Sequence, residues 1–270
     1  MKSDGVMKAA EILFRSRQNN TRLESLPTGL TPRDLDEGYA IQQAVAQRRP
    51  RSDAGFKIGL TSAASQGAAG VTAPIAGRLA HADLRPNLAR IALPRNHLRV
   101  VEAEVIFEMG SDLPAGHAPF TVEQVAATIC AAFAGIEICD TRFVDSDESS
   151  LALIVADNSN ADLLVKGDRL TEDDVKALAA LPVTLERRGQ PAIRGSTAKV
   201  LDHPFRSVTW LANWLAQRGE YLRRGQLIAS GSCTGITEAA ADDIVAATFG
   251  ANARVSVEFA LEGMVSEVNA

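Results

Sequence analysis

Three glutamates and a lysine are the residues whose types and spacing point most directly to chemistry. Glu102 and Glu104 stand two apart in VVEAEVIFEM (residues 100–109), a run whose β-branched and aromatic content reads as a strand. Side chains two apart on a strand project to the same side, so these carboxylates point together. Adjacent like charges repel unless something positive lies between them, and a hard divalent cation suits carboxylate oxygens and water. The bland alternative is an exposed edge strand with its polar residues in water. Glu137 favours the metal, because it interrupts the apolar run Ala134-Gly-Ile-Glu-Ile-Cys139, where a charge needs a partner. Asp140 falls out of phase with Glu137 on a regular strand and is assigned to Arg142 instead.

Lys57 sits inside the apolar segment Phe56-Lys57-Ile58. It is either a snorkelling edge residue or a pocket group able to bind a carboxylate or exchange a proton. Ser230-Gly-Ser-Cys-Thr-Gly235 follows a strand and can offer hydroxyls and N–H groups to an anion, although it also reads as an ordinary turn and lacks the lysine of a phosphate loop. Asp157-Asn-Ser-Asn160 is a polar turn by default and a pocket wall if folded inward. His81, His97, His117 and His203 share no metal-binding spacing and are assigned to surface or structural places.

These groups must be positioned by a β-rich scaffold. Residues 8–49 read as amphipathic helices, the second starting at Thr31-Pro32 with Asp34 and Glu37 near its positive end. The basic break at residues 48–53 divides an N-terminal helical segment (1–53) from a catalytic domain (54–270). Residues 55–60 form a strand. Residues 119–133 are expected to form a helix with a Thr121/Gln124 capping box, a Phe120/Val125 staple and a buried face of Val122, Val125, Ile129 and Phe133. Gly135 would end that helix, and 136–139 would return as a strand carrying Glu137 beside the first pair. Ser207 is expected to cap a helix through Arg218 closed by Gly219, with Trp210 and Trp214 packing on one face. Residues 227–229 and 253–261 supply further strands. The fold class is α+β.

The formal net charge of −5, mixed along the chain, argues against a nucleic-acid partner. No run of 18 apolar residues occurs, so no membrane span is expected, and the amino terminus lacks a secretory pattern. A cytoplasmic location follows as an expectation. Cys130, Cys139 and Cys233 form no C-x-x-C pair and read as reduced, buried small hydrophobes, which argues against a soft-metal site.

Six segments taken in order resemble the 2-keto-4-pentenoate hydratase branch of the fumarylacetoacetate hydrolase superfamily. They are Lys57-Ile-Gly-Leu-Thr-Ser62, Ala73-Pro-Ile-Ala-Gly-Arg-Leu79, Val101-Glu-Ala-Glu104, Ile136-Glu-Ile-Cys-Asp-Thr-Arg-Phe143, Ala156-Asp-Asn158 and Ser230-Gly-Ser-Cys-Thr234. The resemblance implies a mixed β-roll preceded by a small helical segment, with Mg²⁺ or Mn²⁺ held by Glu102, Glu104 and Glu137. It implies Lys57 as an acid/base or carboxylate-binding group, and Asn158, Ser232 and Thr234 as substrate-orienting groups. The implied activity is hydration of a 2-hydroxy-2,4-dienoate to a 4-hydroxy-2-oxo acid in catabolism of aromatic or related compounds. Decarboxylation of a 2-oxo-3-enedioate, acylpyruvate C–C hydrolysis and a weakly active partner subunit are its alternatives. A homo-oligomer and an association with a pathway decarboxylase are also implied. The sequence departs from the branch at Ile75, where an acidic residue is common, and at Cys233 and Gly235-Ile-Thr237.

Overall fold

The computed structural model describes residues 1–93, 97–144 and 150–261. It opens with two helices, α1 (Ser3–Gln18) and α2 (Leu35–Ala46). The second starts later than Thr31-Pro32. Asp34 is its cap, accepting the Glu37 N–H at 2.9 Å, and Pro32 stays outside. The chain then builds β1 (Gly55–Gly59), α3 (Ala63–Ala68), β2 (Ile75–Leu79), β3 (Leu84–Pro86), β4 (Ala89–Leu93) and β5 (Val100–Met109). The short helix α4 (Val122–Ala126) leads to β6 (Ile129–Cys139), α5 (Leu151–Ala156), β7 (Ala161–Arg169) and α6 (Glu172–Lys176). β8 (Pro182–Arg187), β9 (Ile193–Ser196), α7 (Pro204–Ala216) and β10 (Leu227–Ser232) follow. The last described strands are β11 (Thr237–Glu238), β12 (Ile244–Phe249) and β13 (Ala253–Leu261).

The strands form two sheets. The larger runs β2-β1-β10-β5-β6-β7-β3, with β11 paired to the start of β5; the smaller runs β4-β13-β12-β8-β9. One apolar core joins them, with Val105 and Phe107 from the first sheet and Phe249, Val255 and Phe259 from the second. Alternation decides which residues enter it. On β5 the odd positions from Val101 to Met109 enter this core, so the even positions face the other way. On β6, Ala134, Ile136 and Ile138 enter it, which turns Gly135, Glu137 and Cys139 to the same opposite face as Glu102 and Glu104. On β1, Phe56 and Ile58 enter it, and Lys57 turns away with the glutamates.

The helix expected over 119–133 is corrected. Its capping box exists, with Thr121 Oγ1 accepting the Gln124 N–H at 3.3 Å and Gln124 Oε1 accepting the Thr121 N–H at 2.8 Å. The helix nevertheless stops at Ala126, and from Ile129 the chain pairs with β5 along the whole of β6. Ile129 and Phe133 satisfy a helical spacing, but they are also strand formers, and a long hydrogen-bonded ladder outweighs one extra helical turn. Gly135 is therefore a mid-strand residue. A Cβ there would lie 2.5 Å from Ile106 side-chain atoms, so its smallness serves packing.

The helix expected from Ser207 begins earlier. Pro204 occupies its first turn, and His203 caps it by accepting the Phe205 N–H on Nδ1 at 3.1 Å. Ser207 is buried inside and donates to the Pro204 carbonyl at 2.8 Å. Trp210 and Trp214 stack at 5.9 Å, as expected of a packing pair, and Trp214 also meets Tyr39 of α2 at 4.6 Å. The first two helices are tied to the sheet region by Gln42, whose Nε2 donates to the Ala76 and Val155 carbonyls at 2.9 and 3.0 Å. No helix among the described residues is long and apolar enough to cross a membrane.

Candidate metal centre

The β5–β6 register sets Glu102 directly opposite Glu137 and Glu104 opposite Gly135. Cross-strand partners lie about 5 Å apart at Cβ, so two carboxylates on one face necessarily crowd each other. Lys57 reaches them from β1, with Nζ 3.0 Å from Glu137 Oε1. Lys57, Glu104 and Glu137 are 4%, 0% and 1% exposed, which rules out the snorkelling alternative for the lysine. Glu102 is half-buried at the open side of the group.

A bulge on β10 supplies the remaining contacts. Ala229 pairs with Ile106 in regular register, but it is Ser232, one position late, that pairs with Glu104. The extra residue turns the Ser232 side chain onto the carboxylate face. The distortion falls at Gly231, whose φ of +118° and close approach to the Thr61 side chain exclude a Cβ; one there would lie 2.2 Å from Thr61 Oγ1. The Gly231 N–H donates to Glu104 Oε2 at 2.8 Å. The Ser232 hydroxyl bonds the Glu102 carboxylate and accepts the Gly235 N–H at 2.9 Å. The turn thus does present donors to anions, and the anions are the protein's own glutamates.

Charge is unbalanced here, with three carboxylates facing one ammonium. Burial raises the Glu102 pKa to about 6, with repulsion from Glu137 adding to it and Lys57 opposing. Burial, then Glu137 and Glu102, push Glu104 well above the ordinary carboxylate range. For Lys57 burial works downward, but the facing Glu137, with Cys139 and Glu102, more than reverses it and holds the group above its usual value. The lysine is an ammonium at neutral pH. Glu104 Oε1 and Glu137 Oε2 are sealed from solvent with no hydrogen-bond donor. Buried carboxylate oxygens without donors are costly, and a divalent cation is the species that would satisfy this set.

Two of the sequence-designated residues are used elsewhere. Asn158 clips the chain: its Oδ1 accepts the Arg78 N–H and its Nδ2 donates to the Arg78 carbonyl, both at 2.8 Å. Its amide is committed to the β2 backbone because residues 158–160 run in a left-handed turn that aims it there. Thr234 is buried beside Gly195, and its hydroxyl donates to the Gly235 carbonyl at 3.4 Å rather than to a carboxylate. Asp140 ion-pairs with Arg142 and accepts the His97 and Leu98 N–H groups at 2.9 and 3.0 Å.

Sequence reasoning missed Cys139. It is buried, as expected, whereas Cys130, also expected to be buried, is exposed; the Cys139 Sγ lies 3.9 Å from Glu102 Oε2 on the carboxylate face. The signal was available: Cys139 is two residues from Glu137 on the same strand.

No family model matches the chain. It is similar over 249 residues, 31% identical, to the "TodF product hydratase" of Pseudomonas putida, covering 90% of this chain and 91% of that protein. It is 32% identical over 228 residues to a 2-keto-4-pentenoate hydratase of Paraburkholderia xenovorans, covering 83% and 84%. It is also 30% identical over 228 residues to a 4-oxalocrotonate decarboxylase of Pseudomonas putida, again covering 83% and 84%. A solved 4-oxalocrotonate decarboxylase from Pseudomonas putida, complexed with magnesium and adipate, superposes with a TM-score of 0.88 at 26% identity, covering 96% and 98% of the two chains. A fumarylpyruvate hydrolase from Pseudomonas aeruginosa, in complex with Mn²⁺ and pyruvate, shares the fold at a TM-score of 0.60 and 15% identity, covering 77% and 89%. With the β-roll and clustered glutamates in place, these likenesses establish that the chain belongs to the 2-keto-4-pentenoate hydratase branch of the fumarylacetoacetate hydrolase superfamily.

Proposed function

We propose that the chain is a hydro-lyase that adds water to a 2-hydroxy-2,4-dienoate, using a divalent cation held by Glu102, Glu104 and Glu137. The observation that carries this reading is the buried three-carboxylate face with donorless oxygens on Glu104 and Glu137. When bound, Mg²⁺ or Mn²⁺ supplies electrophilic stabilisation to the carboxylate and C2 oxygen of the acid. Lys57, an ammonium against Glu137, is the group able to deliver a proton to the far carbon while the C2 hydroxyl proton passes to solvent, from which the lysine is reprotonated, as the dienol becomes an unsaturated 2-oxo acid. Water then adds across the remaining alkene, its oxygen to C4 and a proton to C3, giving a 4-hydroxy-2-oxo acid. Ser232 and the Gly231 N–H fix Glu102 and Glu104 in place during these steps. Assembly of several copies, and association with a pathway decarboxylase, belong to the same reading.

Decarboxylation of 4-oxalocrotonate is the second reading, supported by decarboxylase relatives as similar as the hydratases. That substrate carries a second carboxylate. Lys57 is the sole cation on β1, β5, β6 and β10, the strands that bear the face, which suits a monocarboxylate better. The test follows loss of diene absorbance from 2-hydroxypenta-2,4-dienoate, with and without Mg²⁺, in the wild type and Glu104→Ala. Metal-dependent loss abolished by the substitution is expected. No turnover of the dienoate, alongside CO₂ release from 4-oxalocrotonate, would transfer the assignment to the decarboxylase.

A further inference from the structure

Glu102, Glu137 and Cys139 each offer one ligand atom, and these atoms all lie within 4.8 Å of one another. This trio is distinct from the three-glutamate set, sharing two members and replacing Glu104 with a sulfur. Glu137 is 1% exposed, and its Oε2 is buried with no hydrogen-bond donor. In a tetrahedral zinc site, with Zn–S about 2.3 Å and Zn–O about 2.0–2.2 Å, the sulfur–oxygen separation is about 3.5 Å. Cys139 Sγ and Glu102 Oε2 are already 3.9 Å apart, so side-chain adjustments of a few tenths of an ångström would bring both onto one ion. Oxygen-rich sites favour Mg²⁺, whereas one thiolate shifts preference strongly toward Zn²⁺ or Cd²⁺.

We propose that the centre carries two overlapping ligand sets, and that Glu102, Glu137 and Cys139 form a second site that captures a thiophilic dication such as Zn²⁺ in competition with Mg²⁺. The inference rests on the metal-centre reading above and adds to it a metal-dependent inhibition specific to this chain's Cys139. On capture the thiol loses its proton to solvent as the metal–sulfur bond forms, with no change of oxidation state. The two shared glutamates make the two ions mutually exclusive. Glu104, held by the Gly231 N–H, is not needed by the thiophilic ion.

The experiment uses Cd²⁺ alone as probe, on the full chain carrying Cys130→Ser, which removes the exposed thiol. Cd²⁺ titration should give the ultraviolet thiolate-to-cadmium charge-transfer band, saturating at one ion per chain and reversed by excess Mg²⁺. Adding Cys139→Ala, or Cys139→Ser as the nearly isosteric second variant, should remove the band. It should also weaken Zn²⁺ binding by at least about tenfold, while the Mg²⁺-induced rise in Tm persists and reports a folded site. Three outcomes overturn the inference with the metal centre intact: Cd²⁺ binding without the band, a band that survives loss of Cys139, or Cd²⁺ and Mg²⁺ binding independently. If neither ion raises the Tm of the Cys130→Ser chain, the metal centre itself is wrong and the inference falls with it.

Discussion

Lys57→Met keeps the length of the side chain and removes the ammonium that faces Glu137. At 3.0 Å and an effective dielectric of about 20, the lost attraction is about 5 kcal/mol. That figure stands at the upper end of the 3–5 kcal/mol or so seen when one partner of a buried pair is removed. For a chain of this length that corresponds to a fall in Tm on the order of 10 °C without metal. A divalent ion opposes the loss, since it neutralises the same oxygens and no longer competes with a neighbouring cation. The Mg²⁺-induced rise in Tm should therefore be larger in the variant than in the wild type, while dienoate turnover is lost. The assay is thermal unfolding at fixed protein concentration across a Mg²⁺ series. A metal-free Tm equal to the wild type, or a smaller Mg²⁺ shift, would refute the electrostatic account of the site.

Three further outcomes follow from particular contacts. Glu102 and Glu104 have folded-state pKa values raised above their unfolded ones, so their contribution favours folding below the unfolded value and fades as pH rises through about 6 for Glu102 and higher for Glu104. Metal-free Tm should thus decline from this source between pH 5 and 8, and the Mg²⁺-induced shift should grow over the same window; a shift largest at pH 5 would contradict it. Gly231→Ala meets a positive φ and the Thr61 side chain, and should destabilise by about 2 kcal/mol or more in urea titration, with weaker Mg²⁺ binding. Asn158→Ala removes two backbone bonds and should cost about 1–3 kcal/mol of stability with little change in KM for the dienoate. A raised KM with unchanged stability would instead return Asn158 to the substrate.

The period-two reading of β5 was legible to the residue, because its odd positions are uniformly apolar and its even ones carry the charges. Glu137 was legible for a different reason: a carboxylate inside an apolar run is conspicuous whatever the secondary structure. The stretch from Ile129 to Phe133 was not, since its apolar spacing fits a helix and a strand equally, and only the partner strand decides. The contacts of Asn158 were not legible because a polar turn gives no sign of which way its side chain is aimed; the left-handed backbone that turns it toward Arg78 is invisible in residue types. Ser232 was found as a hydroxyl, but its route to Glu102 depends on a bulge that a Gly-Ser pair merely permits. Cys139 was dismissed on cysteine spacing, a criterion blind to ligands contributed by glutamates.

Glu102 and Glu137 are fixed by a single antiparallel register, and Gly110 to Thr128 connect the two strands outside that ladder. Insertions or deletions in the connection would change chain length without displacing one carboxylate relative to the other. A single-residue slip inside either strand would send its glutamate into the apolar core. Tolerance to length change is therefore uneven along this hairpin: exposed positions of the connection can gain or lose residues provided that Leu113, Phe120 and Val125 keep their places in the core, while within the strands even the gain or loss of one residue separates the paired carboxylates.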